Sequence, residues 1–270
     1  MEMDTPVVLV TGATSGIGEA IARKLPDKGY FPILTGRRSS RLNEIQRELK
    51  TGAYYACDIT QETEVKQMVD EIIKTYGRID VLINNAGYGR FGGPLDVSLD
   101  DYQGMMETNY MGTVRMIHHV LPHMLRLGGG RIINIASLAG LTGIPNLAGY
   151  CASKFALIGF SESLRLEYSP VIQVGVLCPG PVMTPFFRGE DPCHHFPSPI
   201  ASQMLDAEQV ARHALKMIER PNTVVIPKKL KWALKLRNWF PSLYFWTTRR
   251  IYRQLNQNNH QNMPHSLSKS

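Results

Sequence analysis

The sequence predicts an α/β fold: a doubly wound parallel sheet in a single domain, followed by a C-terminal amphipathic helical extension. Three observations carry that expectation. Short apolar, β-branched runs of strand length alternate with segments of helical period. A glycine-rich turn joins the first run to the first helical segment. Residues 221–270 differ abruptly in charge from everything before them.

Residues 7–10, Val-Val-Leu-Val, lie between Pro6 and Gly12 and read as a strand buried on both faces, which implies a parallel sheet. Similar runs recur at 31–34, 81–83, 131–135 and 174–177, with 224–226 as the last candidate. Helix-period segments fall between them at 19–28, 41–50, 62–76, 99–127, 150–168 and 207–219. Residues 186–203, with their prolines and histidines, fit neither period and read as a loop or lid.

With 270 residues and 43% hydrophobic content, the chain can bury one large core. Cys57, Cys151, Cys178 and Cys193 form no CxxC pair, and no signal-like segment precedes the first run, so a reduced, cytoplasmic protein is expected. No apolar stretch reaches the roughly 18 residues of a spanning helix. Cys193-His194-His195 lacks a second ligand cluster, and no metal is assigned. The net charge of +7 is uneven: residues 221–270 hold nine Lys/Arg and no acid, which leaves 21 basic and 23 acidic residues before them.

Thr11-Gly12-Ala13-Thr14-Ser15-Gly16-Ile17-Gly18 follows the first strand and opens a helix, the context in which backbone N–H groups cradle a pyrophosphate. Gly12 permits the tight turn, Gly16 lets the backbone approach the anion, and Gly18 allows close helix packing. Thr14, Ser15 and Ile17 complete the loop. The second strand ends in Thr35-Gly36-Arg37-Arg38, where an NAD-preferring site would carry an acid. Guanidinium groups at Arg37 and Arg38 would instead hold a 2′-phosphate, so NADP(H) is the expected cofactor.

Tyr150 and Lys154 stand one helical turn apart in Tyr150-Cys151-Ala152-Ser153-Lys154, thirteen residues after Ser137. A shared face brings an ammonium near a phenol and makes an acid/base of the tyrosine. With the glycine loop, these residues closely resemble the short-chain dehydrogenase/reductase family over about residues 5–227. The resemblance implies a Rossmann-like domain at 1–227, with Asp58 and Ile59 of Cys57-Asp58-Ile59 on the adenine side of the cofactor. It assigns Asn85, Ala86 and Gly87 of Asn84-Asn85-Ala86-Gly87 to the cofactor groove, and Pro179, Gly180, Val182 and Thr184 to the loop at the nicotinamide end. Asn109, Ser137, Tyr150 and Lys154 then match the catalytic tetrad, Tyr150 and Lys154 also touching cofactor. The chemistry fits: hydride addition to a carbonyl leaves an alkoxide, so the site must supply a proton and stabilise negative charge. Tyr150 would do the first, its phenol lowered by Lys154 and an oxidised cofactor. Ser137 would donate to the substrate oxygen, and Asn109 would hold a water leading from Lys154 to solvent.

By family position Phe91, Leu138, Leu141, Ile144, Met183, Phe186 and Phe187 face the nicotinamide, an apolar set that suggests a hydrophobic carbonyl or alcohol substrate. Arg188 is the one candidate counter-ion there. Residues 228–255 form the basic, aromatic extension. At about 100° per residue, Trp232, Leu236, Trp239 and Phe240 share one side, with Lys231, Lys235 and Asn238 opposite. Such a helix suits an anionic membrane surface, the protein's own core or a twin subunit. A nucleic-acid module is lacking. Residues 256–270 are polar and expected to be disordered. The expected activity is NADP(H)-linked carbonyl/alcohol redox chemistry by a homo-oligomer. Two alternatives stand beside it: an NAD-linked alcohol or sterol dehydrogenase, and a non-catalytic cofactor sensor recruited through its tail.

Overall fold

The computed structural model describes residues 5–187 and 195–261. In chain order the strands are β1 (Val7–Thr11), β2 (Phe31–Gly36), β3 (Ala53–Ala56), β4 (Val81–Asn84), β5 (Gly130–Ile135), β6 (Ile172–Pro179), β7 (Val182–Met183), β8 (Leu205–Asp206) and β9 (Thr223–Ile226). The helices are α1 (Gly16–Lys24), α2 (Ser39–Leu49), α3 (Glu62–Tyr76), α4 (Leu99–Met106), α5 (Gly112–Arg126), α6 (Ala148–Tyr168), α7 (Ser198–Ala201), α8 (Ala207–Glu219), α9 (Leu230–Trp239) and α10 (Pro241–Gln261). Seven strands form one parallel sheet in the order β3-β2-β1-β4-β5-β6-β9, while β7 and β8 pair separately. This is the doubly wound α/β sheet expected from the alternating pattern.

Alternation along each strand assigns side chains to the two helical layers. Val8, Val10, Ile83 and Ile133 join Ile21, Leu42 and Ile45 of α1 and α2, together with Val210 and Ile218 of α8. Val7, Leu9, Leu82 and Ile132 turn the other way, onto Val65, Val69 and Ile72 of α3 and Ile117 and Val120 of α5. The order of strand addition reverses at β1: β2 and β3 extend the sheet on one side, β4 and the later strands on the other, all parallel. A crevice opens at the carboxyl ends of the strands at such a switch point.

Several elements differ from expectation. Strand β3 was not predicted; its Ala-Tyr-Tyr-Ala sequence sits at the sheet edge, half-buried, without the β-branched signal of the inner strands. Helix α1 ends at Lys24 because Pro26, which starts a short 3-10 turn, cannot donate into the helical ladder. The single helix expected over 99–127 is interrupted by a π-turn at Glu107–Met111, where the Gly112 N–H reaches back to the Glu107 carbonyl. Within 186–203, Pro185–Phe187 form a 3-10 turn and residues 198–201 the short α7. Arg188, Cys193 and His194 lie outside the described residues. Helix α10 continues to Gln261, past the Asn256 where the composition pointed to disorder; residues 262–270 lie outside the described chain. Among the described residues, no helix is long and apolar enough to cross a membrane.

Candidate active site

The glycine loop is held by close packing that only glycine permits. Gly12 takes φ +65°, and a Cβ there would come within 2.8 Å of Ala86 Cα. A Cβ on Gly18 would fall 2.3 Å from the Gly12 carbonyl oxygen, so α1 can approach the loop only without one. Asn85 fastens the loop from the end of β4: its Nδ2 donates to the carbonyls of Thr11 (3.0 Å) and Gly12 (3.2 Å). The backbone N–H groups of Asn85 and Ala86 donate to Thr11 Oγ1, each at 3.0 Å. Asn85 thus supports the cradle through its side chain.

A cleft of about 610 Å³ runs from this loop across the strand ends to α10. Of the residues expected at a cofactor, Gly12, Thr14, Ser15, Gly16, Ile17, Arg37, Arg38, Asp58, Ile59, Asn85, Ala86, Gly87, Tyr150, Lys154, Pro179, Gly180, Val182 and Thr184 line it. Gly18 stands behind the loop. The two arginines are not equivalent: Arg38 donates to the carbonyl and Oγ1 of Thr14, each at 3.0 Å, whereas Arg37 has no hydrogen-bond partner among the described residues. One oxygen of the Asp58 carboxylate is occupied by Thr60 N–H and Oγ1.

Helix α6 presents Tyr150 and Lys154 to the cleft, and the end of β5 presents Ser137. Burial pushes the Tyr150 phenol up to about 12, against the smaller opposing influence of the nearby Ser137 hydroxyl. In the protein alone the phenol is desolvated and Lys154 Nζ stands 5.7 Å from the ring centre; the lowering expected from the sequence is that of Lys154 acting together with an oxidised cofactor. Lys154 is 4% exposed, donates to the Ile135 carbonyl at 2.9 Å, and is drawn down to about 8 by burial. Both groups are therefore nearer neutrality than their free forms.

Asn109 lies in the π-turn, fully buried. Its Oδ1 accepts the Tyr88 N–H at 2.9 Å, and its Nδ2 donates to the Tyr88 carbonyl (2.8 Å) and to Ser153 Oγ (2.9 Å). These bonds tie Tyr88, in the segment that follows β4, to α6. The Asn109 side chain remains close to Lys154, since a Cβ on Gly87 would meet Asn109 Oδ1 at 2.9 Å and Lys154 Nζ at 3.5 Å.

On the substrate side, Leu138, Ile144 and Phe186 line the cleft. Phe186 sits 5.3 Å from the Tyr150 ring, centre to centre. Phe91 packs one layer back, against Phe186 and stacked on His195. Met183 is absent from the cleft lining and 55% exposed, while the Phe187 side chain lies outside the described residues. Leu141 packs beside the cleft floor with Leu230 and Leu234. Sequence reasoning missed the opposite wall: Tyr244, Thr248, Ile251 and Tyr252 of α10. The spacing of 244, 248 and 252 is helical and was available as a signal, but a helix beyond the expected domain gave no reason to turn it toward the cleft.

Comparison with known proteins gives a consistent result. The family profile described as short chain dehydrogenase matches residues 6–192. Over 220 residues the chain is 38% identical to a 3-ketodihydrosphingosine reductase of Bacteroides thetaiotaomicron, covering 81% of this chain and 77% of that one. It is also 38% identical over 193 residues to dehydrogenase/reductase SDR family member 7 of Homo sapiens; that match covers 68% of this chain but spans only 57% of the human protein. Among solved structures, a variant of actinorhodin polyketide ketoreductase with NADPH superposes at TM-score 0.75 with 31% identity, over 84% of this chain and 97% of that one. A short chain dehydrogenase/reductase from Burkholderia phymatum in complex with NAD superposes at TM-score 0.80 with 25% identity, over 90% and 96%.

Proposed function

The chain belongs to the short chain dehydrogenase family, and from that premise we propose that it is an NADP(H)-dependent reductase of ketones on apolar, lipid-like molecules. The observation that carries this reading is the convergence in one cleft of the glycine cradle, the Ser137–Tyr150–Lys154 cluster and an apolar wall. The cleft fits a dinucleotide: Gly12 and Gly16 line the cradle without a Cβ, and Arg37, just past the end of β2, is a cation with no partner among the described residues. Arg37 would hold the 2′-phosphate while Arg38 braces the loop through Thr14. Lys154 and Thr184 would hold the nicotinamide end. When bound, the nicotinamide supplies the hydride.

The chain's own residues supply the rest of the reaction. Ser137 and Tyr150 line the same cleft, so a substrate carbonyl oxygen there would accept hydrogen bonds from both hydroxyls. A phenol raised to about 12 is protonated at neutral pH, and so is ready to give its proton to the developing alkoxide. The Lys154 ammonium stabilises the phenolate left behind. Leu138, Ile144 and Phe186 exclude water and favour an apolar substrate. The relative named for 3-ketodihydrosphingosine supports a lipid-like ketone, and the ketoreductase neighbour supports ketone reduction.

An NAD-linked alcohol dehydrogenase is the second reading, favoured by the NAD-bound neighbour and by the engagement of Arg38 with Thr14. Titration with NADPH and NADH at one salt concentration, followed by the cofactor's own emission, separates the two. At least about tenfold preference for NADPH, roughly 1.4 kcal/mol, is expected. Arg37→Asp should abolish that preference. Equal affinities in the parent protein, or a preference untouched by Arg37→Asp, would reject the assignment.

A further inference from the structure

The C-terminal helices have two faces. Leu230, Leu234 and Arg237 of α9 turn inward: the leucines pack on the core beside Leu138 and Leu141, and Arg237 donates to the Leu141 carbonyl at 2.6 Å. In α10, Tyr244 shares a 3.0 Å hydrogen bond with Thr142, and Tyr252 is buried. The need for a core-facing stripe is met by these residues. What remains outside is apolar all the same: Trp232, Trp239 and Trp246 are 69%, 70% and 58% exposed, and Leu236, Phe240 and Leu243 stand out with them. These three are all the tryptophans the chain has. A soluble surface rarely gathers so much apolar area in one patch without an occupant.

We propose that the outer face of α9 and α10 docks on an anionic lipid surface, with the cleft mouth beside it. Charge selects this occupant. Residues 221–270 contain nine Lys/Arg and no acid, whereas the preceding chain is slightly acidic. The cations are interleaved with the aromatics: Lys235 Nζ lies 4.7 Å above the Trp232 ring and Arg250 lies 5.6 Å from the Trp246 ring. Basic residues beside interfacial tryptophans match a headgroup layer, which offers negative charge above and acyl chain below. A second copy of this face would oppose like charge with like across a two-fold interface. The same α10 contributes Tyr244, Thr248 and Tyr252 to the cleft wall, and Ile251 is both at the rim and exposed. Docking would therefore bring the cleft mouth to the lipid. That entry route rests on the proposed reductase reading; the docking does not.

The tryptophans provide the test. With the full chain, vesicles of phosphatidylcholine mixed with phosphatidylglycerol should shift Trp emission to the blue and carry the protein upward on flotation. Apparent affinity should be at least about tenfold higher than for phosphatidylcholine alone, and should fall with salt. Lys231→Glu/Lys235→Glu keeps every tryptophan and alters only exposed positions; it should lose at least about tenfold in vesicle affinity while binding NADPH as before. Emission unmoved by either vesicle, or equal binding to both, overturns the proposal. So does an emission shift that follows protein concentration in the absence of vesicles, which would assign the face to a second copy. Failure to bind NADPH would count against the reductase reading alone.

Discussion

At the scale of single residues, the site is governed by what burial does to Tyr150 and Lys154. Burial raises the phenol to about 12 and brings the ammonium down to about 8, so within the accessible pH range only the lysine titrates. Reduction requires Lys154 charged and Tyr150 protonated. The kcat/KM for reduction, which reports the free enzyme, should therefore be level at neutral pH and fall as pH rises through about 8. Lys154→Arg keeps a cation at every pH, and whatever activity it retains should lack that descending limb. A parent profile still level at pH 10 would mean that the ammonium does not limit the reaction. Folding responds with the opposite sign: between about 8 and the ordinary 10.5 the unfolded chain holds a proton that the folded one has lost. Stability contributed by this residue therefore rises with pH across that window and is flat below it.

At the scale of elements, the π-turn at Glu107–Met111 is the device that holds three pieces in register. Asn109 fills both backbone groups of Tyr88 and reaches Ser153 on α6, the helix that carries the catalytic pair. Asn109→Ala would strand buried backbone groups and should cost roughly 1–3 kcal/mol by urea denaturation. Loss of turnover with unaltered stability would make Asn109 a chemical participant and not a positioning residue. The element pattern shows why some of the fold was legible and some was not. Inner strands such as 7–10 and 81–83 announce themselves by unbroken apolar sequence, since both faces are buried. Strand β3, at the edge, has no such signature. The π-turn is invisible to a 3.6-residue period, which runs through it unchanged. Asn84 donates to Asn134 at 2.9 Å and Asn134 to Ser161 at 2.8 Å, a buried chain that no spacing rule suggests, because its members meet only when β4, β5 and α6 stack. The glycine loop, Ser137, Tyr150 and Lys154 were readable because their spacing is local; the α10 wall was not, because its contact with Thr142 spans a hundred residues of chain.

At the scale of the whole molecule, the cleft takes residues from the ends of β1, β2, β4, β5 and β6 and from α10, so a ligand there touches both halves of the sheet and the extension. Whether α9 and α10 belong to the same cooperative unit follows from what ties them down. Leu230, Leu234 and Tyr252 bury apolar surface, while Arg237 and Tyr244 are hydrogen-bonded to the segment that begins at Ser137. Those ties join the extension to the core and not merely to itself, which predicts one unfolding transition. The distribution of tryptophans makes this measurable, because Trp emission reports only α9 and α10, whereas far-UV circular dichroism is dominated by the sheet and its helices. The two probes should melt together. NADPH at about a hundred times its Kd should stabilise the folded state by about 2.7 kcal/mol and move both transitions upward together by roughly 5–10 °C. If the emission change came first and ignored NADPH, the extension would be a separate module resting on the enzyme. If both probes shifted together, the wall that α10 gives the cleft would be part of the catalytic body, and a surface that engaged the outer face of α10 would be acting on the substrate pocket itself.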